Sequence, residues 1–344
     1  MPAKSKLLFC LALTLSALAT NAQDAPRKPI PREVLSFYYP WYSVKRSGTN
    51  GMHWGNINAA AHDNSATVHY PARGDYNSMD PAVIQSQIEQ AKSNNITGFI
   101  VSWFGRQSKQ ERNGDSVPLM LQLADQEHFK VSVYWEEAPG SGAKRNAQAV
   151  DDLVYLATQF GTNDAFLKVD GKPVIFVYAR VFAQIPKAAW PDILSEAHAK
   201  AGPFLLVADG YEDFNASHFD GIHRYTVSWS GVNRTLDEIR AWAIDHDAEG
   251  VSLARKYNRI SCVTVSPGYD DTKQRTPGHI MDRQNGEAYS VLWEEAIQAN
   301  PDWVLITSWN EWMEGTEIEP SVESGDQYLK LTAKYAGQFL GTRQ

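Results

Sequence analysis

The sequence predicts an α/β fold made of a single (β/α)8 barrel. Eight short apolar runs are separated by longer segments with helical periodicity. No linker, internal repeat or low-complexity tract interrupts that alternation. Where an open doubly wound sheet would carry a glycine-rich phosphate loop, after the first run, the chain reads YYPWYS.

The strands predicted in order are 34–40 (VLSFYYP), 97–103 (TGFIVSW), 130–135 (KVSVYW), 173–178 (PVIFVY), 204–209 (FLLVAD), 221–229 (GIHRYTVSW), 260–267 (ISCVTVSP) and 303–309 (WVLITSW). Most are continuously apolar, the pattern of strands covered on both faces of a parallel sheet. The first predicted helix opens with Asp80 and Pro81 as N-cap and first-turn proline and continues as PAVIQSQIEQAKSNN. Further helices are expected at 116–127, 146–160, 187–200, 235–256, 286–299 and 326–341. Residues 210–219 read as a weak helix or a loop.

Ahead of the barrel, expected over 34–344, residues 1–22 have the form of a secretion signal. Lys4 and Lys6 precede the apolar run LLFCLALTLSALA, and Thr20-Asn21-Ala22 offers a small-x-small cleavage site. The run is too short to span a bilayer, so no membrane insertion is expected. Residues 23–33, with three prolines in DAPRKPIPRE, form an extended lead-in. Cleavage would remove Cys10 and leave Cys262 as the one cysteine, so no intramolecular disulfide is expected. An exported chain without disulfides points to a secreted or periplasmic protein of a bacterial cell envelope. Cys262, inside a strand, reads as a small buried apolar group.

Of the 344 residues, 43% are apolar and 11% aromatic, with 11 Trp and 15 Tyr. Loss of Lys4 and Lys6 takes 32 basic side chains to 30, against 40 acidic ones. That balance excludes a nucleic-acid footprint and favours a neutral ligand over a polyanion. The histidines lack metal-ligand spacing, with His53, His62 and His69 spread along one loop, so no metal or other cofactor is expected. There is neither a Gly-x-Ser-x-Gly elbow nor a P-loop.

In a barrel, the chemistry sits at the C-terminal strand ends. Those ends offer Tyr38, Tyr39 and Trp41; Trp103 and Phe104; Glu136 and Glu137; Tyr178 and Arg180; Asp209 and Tyr211; His223 and Tyr225; Tyr269 ahead of Asp270 and Asp271; and Asn310, Glu311, Trp312 and Glu314. Aromatic rings beside carboxylates suit a sugar, which shows C–H faces to a ring and hydroxyls to polar groups. Glycosidic cleavage then needs two carboxyl groups, and a dry setting raises one of them enough to act as an acid. Glu311 and Glu314, three residues apart, converge only if the chain turns directly after Trp309, since in a strand they would face opposite ways. The bland alternatives are a solvated acidic loop, an Arg180–Asp209 structural pair, and capping roles for Asp270 and Asp271.

The segments FYYPWY (37–42), HW (53–54), YPARGDYNSMDP (70–81), GFIVSWFG (98–105), Glu136, FDGIHRYT (219–226), SPGYDDT (266–272) and SWNEWMEGTEIEP (308–320) run in order along nearly the whole mature chain. In them the sequence resembles glycoside hydrolase family 99, the endo-α-mannosidases and endo-α-mannanases. The resemblance implies a (β/α)8 barrel and a retaining mechanism without an enzyme nucleophile. In it, Glu311 assists attack by the substrate's own 2-hydroxyl to give a 1,2-anhydro sugar, and Glu314 is the acid and then the base. It also implies that Trp103 stacks on a sugar and that Glu136 and Tyr39 line the subsite of the cleaved sugar. Trp41, Tyr225, Tyr269, Asn310 and Trp312 complete the expected substrate-binding set. The expected partner is an oligosaccharide or polysaccharide. Three stretches depart from the family pattern: Met313 stands where His is usual, Tyr134-Trp135-Glu136-Glu137-Ala138 where His-Ile-Glu-Pro-Tyr is usual, and His223-Arg224-Tyr225 where Tyr-Thr-Tyr is usual. These leave open the same mechanism on another polysaccharide, or a barrel that binds carbohydrate without cleaving it.

Overall fold

The computed structural model describes residues 29–44, 50–106 and 116–341. The signal segment and the first part of the lead-in lie outside the described residues.

Eight strands pair in parallel in chain order: Glu33–Tyr38 (β1), Gly98–Trp103 (β2), Lys130–Trp135 (β3), Lys172–Val177 (β4), Leu205–Asp209 (β5), Gly221–His223 (β6), Ile260–Val265 (β7) and Trp303–Ile306 (β8). β8 pairs back with β1, Leu35 opposite Leu305, and closes the barrel. The α-helices are Pro81–Ser93 (α1), Ser116–Glu127 (α2), Gly142–Tyr155 (α3), Ala179–Gln184 (α4), Trp190–Ala201 (α5), Asp213–His218 (α6), Leu236–Lys256 (α7), Glu287–Ala299 (α8) and Gln327–Gly341 (α9).

The apolar runs serve two cores at once. Leu35, Phe37, Val174, Phe176, Val207, Cys262, Trp303 and Leu305 fill the barrel interior. Their neighbours Val34, Tyr38, Ile175, Val177, Leu206, Val263, Val304 and Ile306 pack outward against the helices. Successive side chains of a strand point to opposite faces, so a strand buried on both sides must be apolar throughout. Cys262 is buried in the barrel interior, as a small apolar filler.

The helix signals act locally. Asp80 accepts from Ala82 N at 2.9 Å, with Pro81 in the first turn. Thr235 and Glu238 form a reciprocal capping box at the start of α7.

Several expected bounds shift. The sixth strand stops at His223 rather than 229, because Tyr225 N is taken by the Asp209 carboxylate at 3.1 Å instead of a strand partner. The eighth stops at Ile306, and its continuation turns across the barrel mouth. Residues 210–219 contain the short α6, and α4 follows β4 unforeseen. Between β1 and α1 lies a small antiparallel sheet of Asn50–Gly51, Gly55–Asn58 and Asp63–Asn64, which carries His53 to the rim. Among the described residues, no helix is long and apolar enough to cross a membrane.

Candidate active site

The turn after β8 is assembled from backbone bonds and two hydroxyls. Thr307 N donates to Val265 O and Trp309 N to Phe37 O, so the chain leaves β8 still tied to β7 and β1. Ser308 Oγ receives Glu311 N at 2.7 Å and lies 2.9 Å from Thr316 Oγ1. Ser308 N donates to Thr316 O, and Ile318 N returns to Ser308 O. Inside this closed loop Trp312–Glu314 form one tight helical turn, ended by Gly315 at φ 59. A side chain at 315 would lie 3.0 Å from Asp270 N, so glycine is required by space as well as by backbone angle. The turn puts both Glu311 and Glu314 at the barrel mouth.

Two adjoining cavities share Trp41, His53, Glu311 and Glu314 in their walls. The first, of about 250 Å³, adds Tyr39, Phe104, Tyr134, Glu136, Tyr178, Arg180 and Tyr225. The second, of about 320 Å³, adds Gln274, Arg275 and Met313. The two glutamates stand at the boundary between them.

The first cavity has a hydrogen-bonded aromatic floor. Tyr39 OH donates to Tyr225 OH at 2.6 Å, and Tyr134 stacks on Tyr225 with centroids 5.7 Å apart. Asp209 gathers three strand ends, accepting from Tyr134 OH at 3.2 Å, Ala179 N at 3.3 Å and Tyr225 N at 3.1 Å. Ser102 Oγ donates to Glu136 at 3.0 Å. Trp41 lies between Tyr39, at 4.6 Å, and His53, stacked at 5.1 Å. In the second cavity His53 Nδ1 is 3.2 Å from Met313 Sδ.

Charge is distributed unevenly over the site. Burial raises the pKa of Glu314, and Arg275, whose Nη2 is 3.6 Å from Glu314 Oε1, partly offsets the rise. Burial first, and then the charges of Glu314 and Glu311, hold Tyr225 well above its ordinary pKa, so its phenol stays protonated. Among the described residues, no group of three His, Cys, Asp or Glu is set to hold a metal ion.

Glu311, Glu314, Tyr39, Trp41, Glu136 and Tyr225 thus meet at one mouth. The other four expected residues stand elsewhere. Asn310 is fully buried and clamps β1 to the rim: its Oδ1 accepts Tyr39 N at 2.8 Å, and its Nδ2 donates to Tyr39 O at 3.0 Å. Trp312 is buried under the turn, its Nε1 donating to Glu319 at 3.2 Å. Trp103 is buried with its ring parallel to Tyr155. Tyr269 donates to Asp271 at 2.8 Å and lies behind Arg275. None of these four lines either cavity.

Arg180 does not pair with Asp209; it lies over the rings of Tyr178 and Phe104 and faces the cavity. Asp270 does make a local turn, accepting from Thr272 N at 3.0 Å. Of the departures, Tyr134 and Met313 reach the cavities, whereas Glu137, His223 and Arg224 do not. His223 is buried in the barrel and its pKa is lowered to about 4 by burial, so it is neutral. His53, Gln274 and Arg275 escape a reading of strand ends. His53 belongs to an insert, and Arg275 comes after the seventh strand's motif; its four-residue spacing from Asp271 was the available signal.

The sequence pattern of glycosyl hydrolase family 99 matches residues 29–339. The mouse glycoprotein endo-alpha-1,2-mannosidase is 25% identical, over 95% of this chain and 79% of its own. A zebrafish glycoprotein endo-alpha-1,2-mannosidase-like protein is 26% identical, over 92% and 80%. The structure of the GH99 endo-alpha-mannosidase from Bacteroides thetaiotaomicron superposes with a TM-score of 0.71 at 25% identity, covering 89% of this chain and 97% of that one. With its two glutamates at the mouth of a closed barrel and this match across the described fold, the chain belongs to glycosyl hydrolase family 99 and is a glycoside hydrolase.

Proposed function

We propose that the protein is an exported, retaining, endo-acting hydrolase of α-mannoside-containing glycans. The observation that supports it best is that Glu311 and Glu314, offered by one turn, open on both of two adjoining cavities. A glycan crossing that boundary would present one glycosidic bond to both carboxyl groups.

In an α-mannoside the axial 2-hydroxyl lies anti to the leaving oxygen. Glu311 takes the 2-hydroxyl proton as O2 attacks C1, while Glu314 gives its proton to the leaving oxygen and the C1–O bond breaks. A 1,2-anhydro sugar results. Water then loses a proton to Glu314 and attacks C1, the C1–O2 bond opens, and O2 recovers its proton from Glu311. Two inversions at C1 give net retention, and each carboxyl group returns to its starting state. The raised pKa of Glu314 suits the acid role, since a carboxyl group must hold its proton near neutral pH to deliver it. The first cavity, with Tyr39, Glu136 and Tyr225, takes the cleaved sugar, and the second takes the leaving group. Export rests on residues 1–22.

The test uses α-mannan oligosaccharides and their 2-deoxy analogues at the cleaved sugar. The parent substrate should give the α-anomer first by NMR, and the 2-deoxy analogue should resist cleavage. Rapid cleavage of the 2-deoxy analogue, or a β-anomer as first product, would sink the mechanism. Binding of the parent oligosaccharide by calorimetry with no cleavage would favour a carbohydrate-binding barrel, a reading motivated by Met313 at the second cavity.

A further inference from the structure

Arg275 follows β7 on a turn that the mechanism above does not use. Its Nη1 donates to Tyr269 OH at 2.5 Å and to the carboxylate of Asp271. Asp271 is fully buried, and is itself held by His279 N at 2.7 Å and Tyr269 OH at 2.8 Å. The turn is anchored on the small antiparallel insert, Gln274 Nε2 donating to Ala66 O at 2.5 Å and Lys273 Nζ to Asn64 O at 2.9 Å. The guanidinium is therefore gripped from behind, with its other edge turned to Glu314. At 3.6 Å that edge is close enough for a strong charge interaction and too far for a good hydrogen bond.

We propose that Arg275 is a positioning residue for Glu314, held by Asp271 and Tyr269 so that it stabilises the ionised carboxylate without occupying the oxygen that exchanges a proton with substrate. This rests on the acid/base reading of Glu314. That role needs both states in each turnover: the protonated acid for the first step and the carboxylate for the second. Burial alone favours the first state, and a fixed cation keeps the second within reach.

The groups facing Glu314 come from several elements. Glu311 shares its turn, Tyr178 follows β4, Tyr225 follows β6, and Tyr269, Asp271 and Arg275 follow β7. His53 and Arg180 share the cavity wall. The three tyrosines all have raised pKa values, with burial as the largest cause, and are neutral. Asp271 opposes Arg275, but its charge is already engaged by that guanidinium.

The test compares the kcat–pH profiles of wild type, Arg275→Met and Arg275→Lys on one α-mannan oligosaccharide. Arg275→Met should move the alkaline limb upward by about 1 pH unit, the low end for loss of an adjacent opposite charge. Arg275→Lys should restore most of the shift. A limb unmoved in Arg275→Met, or a change confined to KM, would overturn the proposal. Glu314→Gln separates the two readings. If it still cleaves the oligosaccharide at the wild-type rate, the functional reading fails. If it does not, and the Arg275→Met limb is unmoved, only the role of Arg275 fails.

Discussion

One stretch of fourteen residues, TSWNEWMEGTEIEP, holds two pairs of glutamates with opposite fates. Glu311 and Glu314 face the cavities, and the Glu314 side chain keeps 29% of its surface exposed. Glu317 and Glu319 are 1% exposed and turn inward. Glu317 meets Arg283 at 2.5 Å and His69 at 2.7 Å. Burial pushes its pKa up, but these two neighbours outweigh burial and hold it low. Glu319 accepts from Gln87 at 2.7 Å, Tyr76 at 2.8 Å and Trp312 at 3.2 Å, with Arg73 at 3.3 Å. The inner pair is engaged by close cationic and hydrogen-bonding partners, through Oε1 in Glu317, and serves as scaffold. Glu314, with one ion-pair contact among the described residues, at 3.6 Å, retains the capacity to exchange a proton. Engagement by close partners, more than sequence spacing, separates Glu317 and Glu319 from Glu314.

The strongest way to break this contrast is by amide substitution. Glu311→Gln and Glu314→Gln should each lower turnover by about 10³-fold or more while leaving oligosaccharide affinity and melting temperature nearly unchanged. Wild-type turnover in either would remove its role. The mirror experiment strikes the inner pair. Arg283→Met strips Glu317 of its guanidinium and should cost about 3–5 kcal/mol by denaturant unfolding. An unaltered midpoint would show that Glu317 is less dependent on its partner than the geometry requires.

A smaller effect is expected at the clamp beneath the turn that carries Glu311 and Glu314. Asn310→Ala leaves Tyr39 N and O without their side-chain partner and should cost about 1–3 kcal/mol, with a fall in kcat larger than any rise in KM. Unfolding and steady-state kinetics on the same sample decide this.

An effect that depends on pH comes from a carboxyl group buried, among the described residues, without a cation. Asp247 on α7 is pushed up to about 8, by burial and then by the charge of Glu295, whose own partner is Arg240. The folded state keeps a proton that the unfolded chain releases near pH 4, so this group's contribution to stability declines from about pH 4 to about pH 8 and is level above. Asp247→Asn should therefore gain on the wild type across that window, by about 4–5 kcal/mol at pH 8. A difference that does not change with pH would mean that Asp247 titrates normally.

The barrel could be read from the chain because its signals are local. A strand covered on both faces needs an unbroken apolar run, as in PVIFVY, and a helix start needs a cap, as at Asp80-Pro81 and Thr235. Strand ends then pointed to the mouth, which is where Tyr39, Glu136, Tyr225, Glu311 and Glu314 meet. The same reasoning could not separate Trp41, which lines the cavity, from Trp312, which lies under it, since both follow a strand by a few residues. Nor did it reach His53 and Arg275, which arrive on the long β1–α1 insert and the turn after β7.

By itself, then, the sequence determined the closed barrel and the rim on which carboxylates and rings accumulate, because burial and periodicity are properties of neighbouring residues. Only the tertiary structure decided which glutamates of the last loop are open to a ligand. Their partners, His69, Arg73, Gln87, Arg275 and Arg283, come from distant parts of the chain, and no local pattern records where folding will bring them.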